Sequence, residues 1–178
     1  NSSYTGPDGK PLFATDHPLV KHGGVQANTL SVAADFSVSS LELALTAFRQ
    51  MKDSSGKLVR IPAEMLVVPP QLEWRAAEVL VGTKRSDTAN NTENAFRHRA
   101  GYGPFKRYEV WDYLTDPDNW FIFSNPEDHE LRFYWRERPN TVHDVEFKSR
   151  SLQTALWYRS SHGWSDFYGV FGVQGGAS

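Results

Sequence analysis

The chain has 178 residues and a mass of 20.2 kDa, with 39% hydrophobic and 22% charged residues and a mean hydropathy of -0.53; a chain of this size buries roughly 70% of its unfolded surface without metal or disulfide staples. The absence of Cys excludes disulfide scaffolds, thiol nucleophiles and Cys-ligated zinc. A net charge of -2, from 19 Lys and Arg against 21 Asp and Glu, argues against a protein built to grip nucleic acid through a basic face. No apolar run exceeds the four residues of Met65–Val68, where a membrane-spanning helix needs about 20.

The first ten residues are polar and punctuated by Gly and Pro, unlike a signal peptide. Ser39-Ser40-Leu41-Glu42 reads as a capping box, with Leu41, Leu45 and Phe48 at helical spacing behind it, and predicts a helix from about Ser40 to Asp53, stopped by Asp53-Ser54-Ser55-Gly56. Met65-Leu66-Val67-Val68, a short apolar run between breakers, predicts a buried strand. Pro69-Pro70 then announces a second helix that ends at Gly82, with Leu72, Ala76, Val79 and Leu80 inward. Thr83 to Arg107 shows neither period and reads as a long loop. Short strands follow at Tyr108–Leu114, Trp120–Phe123, Glu130–Arg136, Asp144–Arg150 and Leu152–Ser160, with Leu131, Phe133 and Trp135 on one face and Arg132, Tyr134 and Arg136 on the other. Of 24 aromatic residues, 19 lie from Phe96 onward, whereas 10 of 14 leucines precede it. Helices should therefore come first and sheet second, an α+β order.

Catalytic signatures are missing. Six histidines include no H-E-x-x-H and no i, i+4 pair. His22-Gly23-Gly24 has the look of an esterase oxyanion loop, but no G-x-S-x-G elbow accompanies it, and Gly101-x-Gly103 runs into Pro104. The basic clusters Arg97-His98-Arg99, Lys106-Arg107 and Arg132/Arg136/Arg138 stand beside Glu109, Glu130 and Glu137, which describes a solvated or subunit-facing surface. Aromatics from Trp157 to Phe171 read as core or interface area.

In this order, Asp8-Gly9-Lys10-Pro11-Leu12-Phe13 with His17-Pro18, the capped helix, Met65–Val68 feeding Pro69-Pro70-Gln71-Leu72-Glu73, and the ending Gly163–Gly172 resemble the tailed-phage major capsid proteins, nearest the Mu-like head-subunit branch. The resemblance spans about Gly6 to Gly175. It implies the Hong Kong-type capsid fold, with residues 1–30 the returning limb of an extended loop, 31–82 and 139–178 a peripheral domain containing the spine helix, and 83–138 mainly an axial domain. It also implies that an N-terminal arm and the loop's outgoing limb precede Asn1. The function implied is structural, with no catalytic residues, metal or cofactor: pentamers and hexamers of an icosahedral shell around double-stranded DNA, with portal, scaffold or decoration proteins as further partners and no membrane. Inter-subunit contacts are expected at Lys10, Leu12, Phe13, His17, Arg97, Arg99, Lys106 and Arg107. Phe13 is expected to be buried by a neighbour, so that Phe13→Ala weakens capsomers and spares the monomer. Two rival readings are a monomeric α+β module binding glycan or single-stranded nucleic acid on an aromatic face, and a metal-assisted hydrolase using Asp16, His17 and His22.

Overall fold

A computed structural model describes residues 4–82, 84, 93, 94, 96 and 105–176. The elements are β1 (His17–Pro18), β2 (Val25–Gln26), α1 (Val38–Arg49), β3 (Met65–Val68), a 3-10 turn (Pro70–Leu72), α2 (Glu73–Val81), β4 (Arg107–Val110), β5 (Trp120–Phe123), β6 (Leu131–Val145), β7 (Leu152–Trp164) and β8 (Val170–Val173). This is a mixed α+β chain, as the sequence order suggested.

The centre is a four-stranded sheet in the order β4-β3-β5-β8, with β3 and β4 parallel and the other pairs antiparallel. Alternation along each strand gives it two apolar faces. Leu66, Ile122 and Phe171 lie side by side on one, flanked by Val68, Trp120 and Val173, and join a core with Leu41, Ala44 and Phe48 of α1 and Ala76 and Val79 of α2. Each such side chain taken from water contributes about 1.5–3 kcal/mol. Val67, Phe121 and Gly172 line up on the other face. The Phe13 ring lies there, 5.2 Å from Phe121 and directly over Gly172.

The first helix starts and stops earlier than its pattern suggests. Its N-cap is Ser37, not Ser39: Ser37 Oγ accepts from the Ser40 amide at 3.2 Å, and Ser40 Oγ accepts from the Ser37 amide at 2.9 Å. Capping at Ser37 puts buried Phe36 just before the cap and buried Leu41 at the fourth helical position, the arrangement of a hydrophobic staple. At the other end the amide of Gln50 bonds to Thr46 and Ala47, and the chain then leaves the helix as the Lys52 amide bonds to the Gln26 side chain. Asp53 is therefore outside the helix. The second helix ends at Gly82 as expected, with the 3-10 turn as its entry.

The strand expected at Glu130–Arg136 runs on to Val145 as one 15-residue strand, β6, paired along its length with β7 in an antiparallel ribbon, and of the strand expected at Asp144–Arg150 only Asp144 and Val145 belong to it, residues 146–150 making the turn into β7. Pro139 interrupts the sequence pattern but not the strand. The register slips by one residue between Trp135 and Glu137 and again between Glu137 and Asn140, and at such a bulge a residue without an N–H costs no ladder bond. The strand expected at Tyr108–Leu114 is shorter, Arg107–Val110.

One sheet thus draws β3 and β8 from residues 31–82 and 139–178, and β4 and β5 from residues 83–138. Residue 139 falls inside β6.

Candidate interaction surfaces

The segment from Gly6 to Asn28 is closed on itself by a polar knot, and the Gly172 amide of β8 donates to the Asn28 main-chain carbonyl at 3.0 Å. His17, 1% exposed, places Nδ1 2.6 Å from Asp8 Oδ2 and Nε2 3.1 Å from Asn28 Oδ1. Asn28 also donates from Nδ2 to the Leu12 carbonyl at 2.6 Å and accepts from the Ala14 amide at 2.9 Å. Both imidazole nitrogens therefore face side-chain oxygens. The ring also stacks on Phe167, centroids 4.0 Å apart. Burial alone would raise the Asp8 carboxyl, but the His17 hydrogen bond and charge and the Lys10 amide outweigh it and hold Asp8 below the usual carboxylate value. Asp166, nearby, is pushed up by burial and by repulsion from Asp8, against the Phe167 amide that it accepts from. Burial drives Tyr168 to about 12, with Asp166 and Asp53 adding repulsion.

His17 is buried against its own chain, and Phe13, half-buried, packs on the sheet of its own chain. The sequence signal for the first was present in Asp8 and Asn28, but nothing local links residues nine and eleven positions from His17. Lys10 pairs with Asp16, Leu12 is half-buried, Lys106 Nζ lies 2.6 Å from Glu64 Oε1, and Arg107 is exposed at the start of β4. Arg97 and Arg99 lie outside the described residues.

Asp16, His17 and His22 do not converge. Asp16 goes to Lys10, His17 to Asp8 and Asn28, and the His22 ring sits over Gly56. Among the described residues there is no group of three or more His, Asp or Glu placed to hold a metal ion. Clefts of about 210 Å³ beside the knot at Pro7, Asp8 and Tyr168, about 390 Å³ at the ribbon's root by Arg132, Tyr134 and Trp164, and about 550 Å³ at Arg49 and Arg60 open on the surface.

Among the described residues the β6–β7 ribbon pairs with no other strand. Alternation along β7, with the register carried across to β6, sorts its side chains. Leu131, Phe133, Trp135, Val145, Leu152, Leu156 and Tyr158 share one face, while Arg132, Tyr134, Glu137, Asp144, Trp157 and Arg159 share the other. Phe133 meets Trp135 edge-on at 5.0 Å, and Trp135 meets Tyr158 at 6.1 Å. On the polar face Trp157 Nε1 donates to Glu137 Oε1 at 2.6 Å. The sequence foretold the division of Leu131, Phe133 and Trp135 from Arg132 and Tyr134, but not the ribbon's length.

The described residues thus form an α+β body, a clasped loop and an amphipathic ribbon with exposed contact area. A phage capsid protein family profile matches residues 1–173, and the chain belongs to that family. The family is structural and non-enzymatic; its members assemble with copies of themselves into the shell of the phage particle. No curated protein matches the chain.

Proposed function

We propose that the chain is a major head subunit of a tailed double-stranded DNA phage, of the Mu-like branch and the Hong Kong-type fold. It would assemble into pentamers and hexamers of an icosahedral shell that encloses the genome, with portal, scaffold or decoration proteins as further partners. The observation that carries this reading is the ribbon: a two-stranded hairpin is marginal alone in water, and this one leaves a face of Phe133, Trp135, Leu156 and Tyr158 exposed beside a complete core. Residues 1–30 correspond in this reading to the returning limb of the extended loop. Residues 31–82 and 139–178 correspond in it to the peripheral domain, and residues 83–138 mainly to the axial domain.

The test is electron microscopy of the intact gene product, with sedimentation across a concentration series. Closed polyhedral particles built from five- and six-membered rings are expected. A protein that stays monomeric at every concentration while saturably binding an oligosaccharide or single-stranded oligonucleotide refutes the reading in favour of a binding module.

A further inference from the structure

The ribbon and an acidic aromatic edge lie at opposite ends of the sheet. The chain enters the ribbon beyond Phe123 and returns from it at Val170, which pairs with Phe123. At the far end Val110 lies beside Val68, and residues 111–119 lead across to Trp120, which pairs with Val173. Residues 108–118 carry Glu109, Asp112, Asp116 and Asp118 and no Lys or Arg, and they expose Tyr108, Trp111 and Tyr113. Among the described residues none of these carboxylates makes an ion pair.

The ribbon has the opposite balance. Residues 131–164 hold six bases, Arg132, Arg136, Arg138, Lys148, Arg150 and Arg159, against Glu137, Asp144 and Glu146. Among the described residues only Arg132 of the six is ion-paired, with Glu130. With a net charge of +3 on the ribbon and -2 on the whole chain, the remainder carries -5.

We propose that the ribbon of one copy docks by its apolar face on residues 108–118 of the next copy, with the bases at its bulges and turn, Arg136, Arg138, Lys148 and Arg150, along the margin of the contact. This deepens the shell-subunit reading and rests on it. Two ribbons would repel each other, whereas ribbon against edge joins opposite charges and covers aromatics on both sides. Because the two patches sit at opposite ends of one body, the contact is head-to-tail. Such contacts close into rings when the rotation between copies permits. Phe133, Trp135, Val145, Leu152, Leu156 and Tyr158 are each between 46% and 69% exposed, which offers roughly 600 Å² per copy if each contributes about 100 Å². A standard interface takes about 800 Å² from each partner; in a ring every copy makes this contact twice, once with each patch.

Charge reversal tests it in the full-length protein, with assembly read by sedimentation and electron microscopy. Arg136→Glu with Arg138→Glu, or Asp112→Arg with Asp116→Arg, should each raise the concentration needed for assembly at least about tenfold and leave the monomer's circular dichroism and melting curve unchanged. Mixing or combining the two pairs should restore assembly. Trp135→Ser with Tyr158→Ser should give the same loss without restoration by charge. If both reversed proteins assemble like the parent, the docking is wrong and the shell reading stands. Loss in both without recovery when they are combined also overturns this pairing. If the parent itself never assembles, the shell reading falls, and the docking with it.

Discussion

Alanine at position 172 gauges how tightly the Gly6–Asn28 segment is pressed onto the sheet. A Cβ there lies 2.8 Å from Phe13 Cδ1 and 2.9 Å from Cγ, whereas carbon atoms rest at about 3.5 Å, so the ring must retreat by about 0.7 Å. It is poorly placed to do so. Phe121 lies beside it, and the backbone on both sides is held, Leu12 by the Asn28 amide and Ala14 by the Asn28 carbonyl oxygen. Overpacking of this kind costs about 1–3 kcal/mol, and each kcal/mol lowers the melting temperature of a chain this size by about 2–4 °C. Phe13→Ala alone should cost about 2–3 kcal/mol, near the low end for a buried Phe because the ring is only half-buried. In that background the added methyl meets empty space. Gly172→Ala should then cost under about 0.5 kcal/mol, leaving a coupling of about 1–2 kcal/mol. Urea unfolding of the parent, both single variants and the double variant measures this. Additive losses, or a Gly172→Ala protein as stable as the parent, would refute the packing.

Ser37→Ala should destabilise the chain by about 1 kcal/mol through loss of the cap, and Ser39→Ala, at an exposed position on the first turn, should be within about 0.5 kcal/mol of neutral; reversed costs in thermal melts would restore the cap to Ser39. The two shifted carboxylates have opposite signs of pH dependence. Asp8 is depressed in the folded state, so its contribution is present above the ordinary carboxylate value of 3.8 and is lost as pH falls through the lower folded value. Asp166 is raised, so the folded state holds its proton longer and its contribution declines as pH climbs from 3.8 through the folded value. Asp166→Asn, which keeps an oxygen for the Phe167 amide, should therefore raise the melting temperature at pH 7 relative to the parent and lose that advantage at pH 3. An equal shift at both values would argue against the burial of Asp166.

What the sequence disclosed, and what it concealed, follows the range of the forces involved. Met65–Val68 and Trp120–Phe123 were legible because a fully buried strand must be apolar at every position, and Gly82 was legible because it ends the helix locally. The cap was misplaced by two residues because serines at 37, 39 and 40 all satisfy the local rule, and only the burial of Phe36 and Leu41 chooses among them. The ribbon's period of two slips at each bulge, so a strand expected to stop at Arg136 in fact runs on through Pro139 to Val145. The knot at His17, the ring over Gly172 and the parallel pairing of β3 with β4 join residues distant in sequence. Phe13 and His17 stood out for their chemistry, but chemistry alone did not reveal their partners within the chain, Phe121 and Gly172 for the one and Asp8 and Asn28 for the other.

The position of the ribbon between β5 and β8 has an evolutionary consequence. Those strands are neighbours in space, yet everything from Ser124 to Gly169 is spliced between them. Their pairing closes the gap whatever the excursion does, and lengthening an already wide loop costs only a slowly rising entropy. Two residues added to each limb of the hairpin would extend its reach by about 7 Å without moving a side chain in the core. Selection can therefore tune reach, curvature and partner preference in that hairpin while the framework that supports it stays fixed.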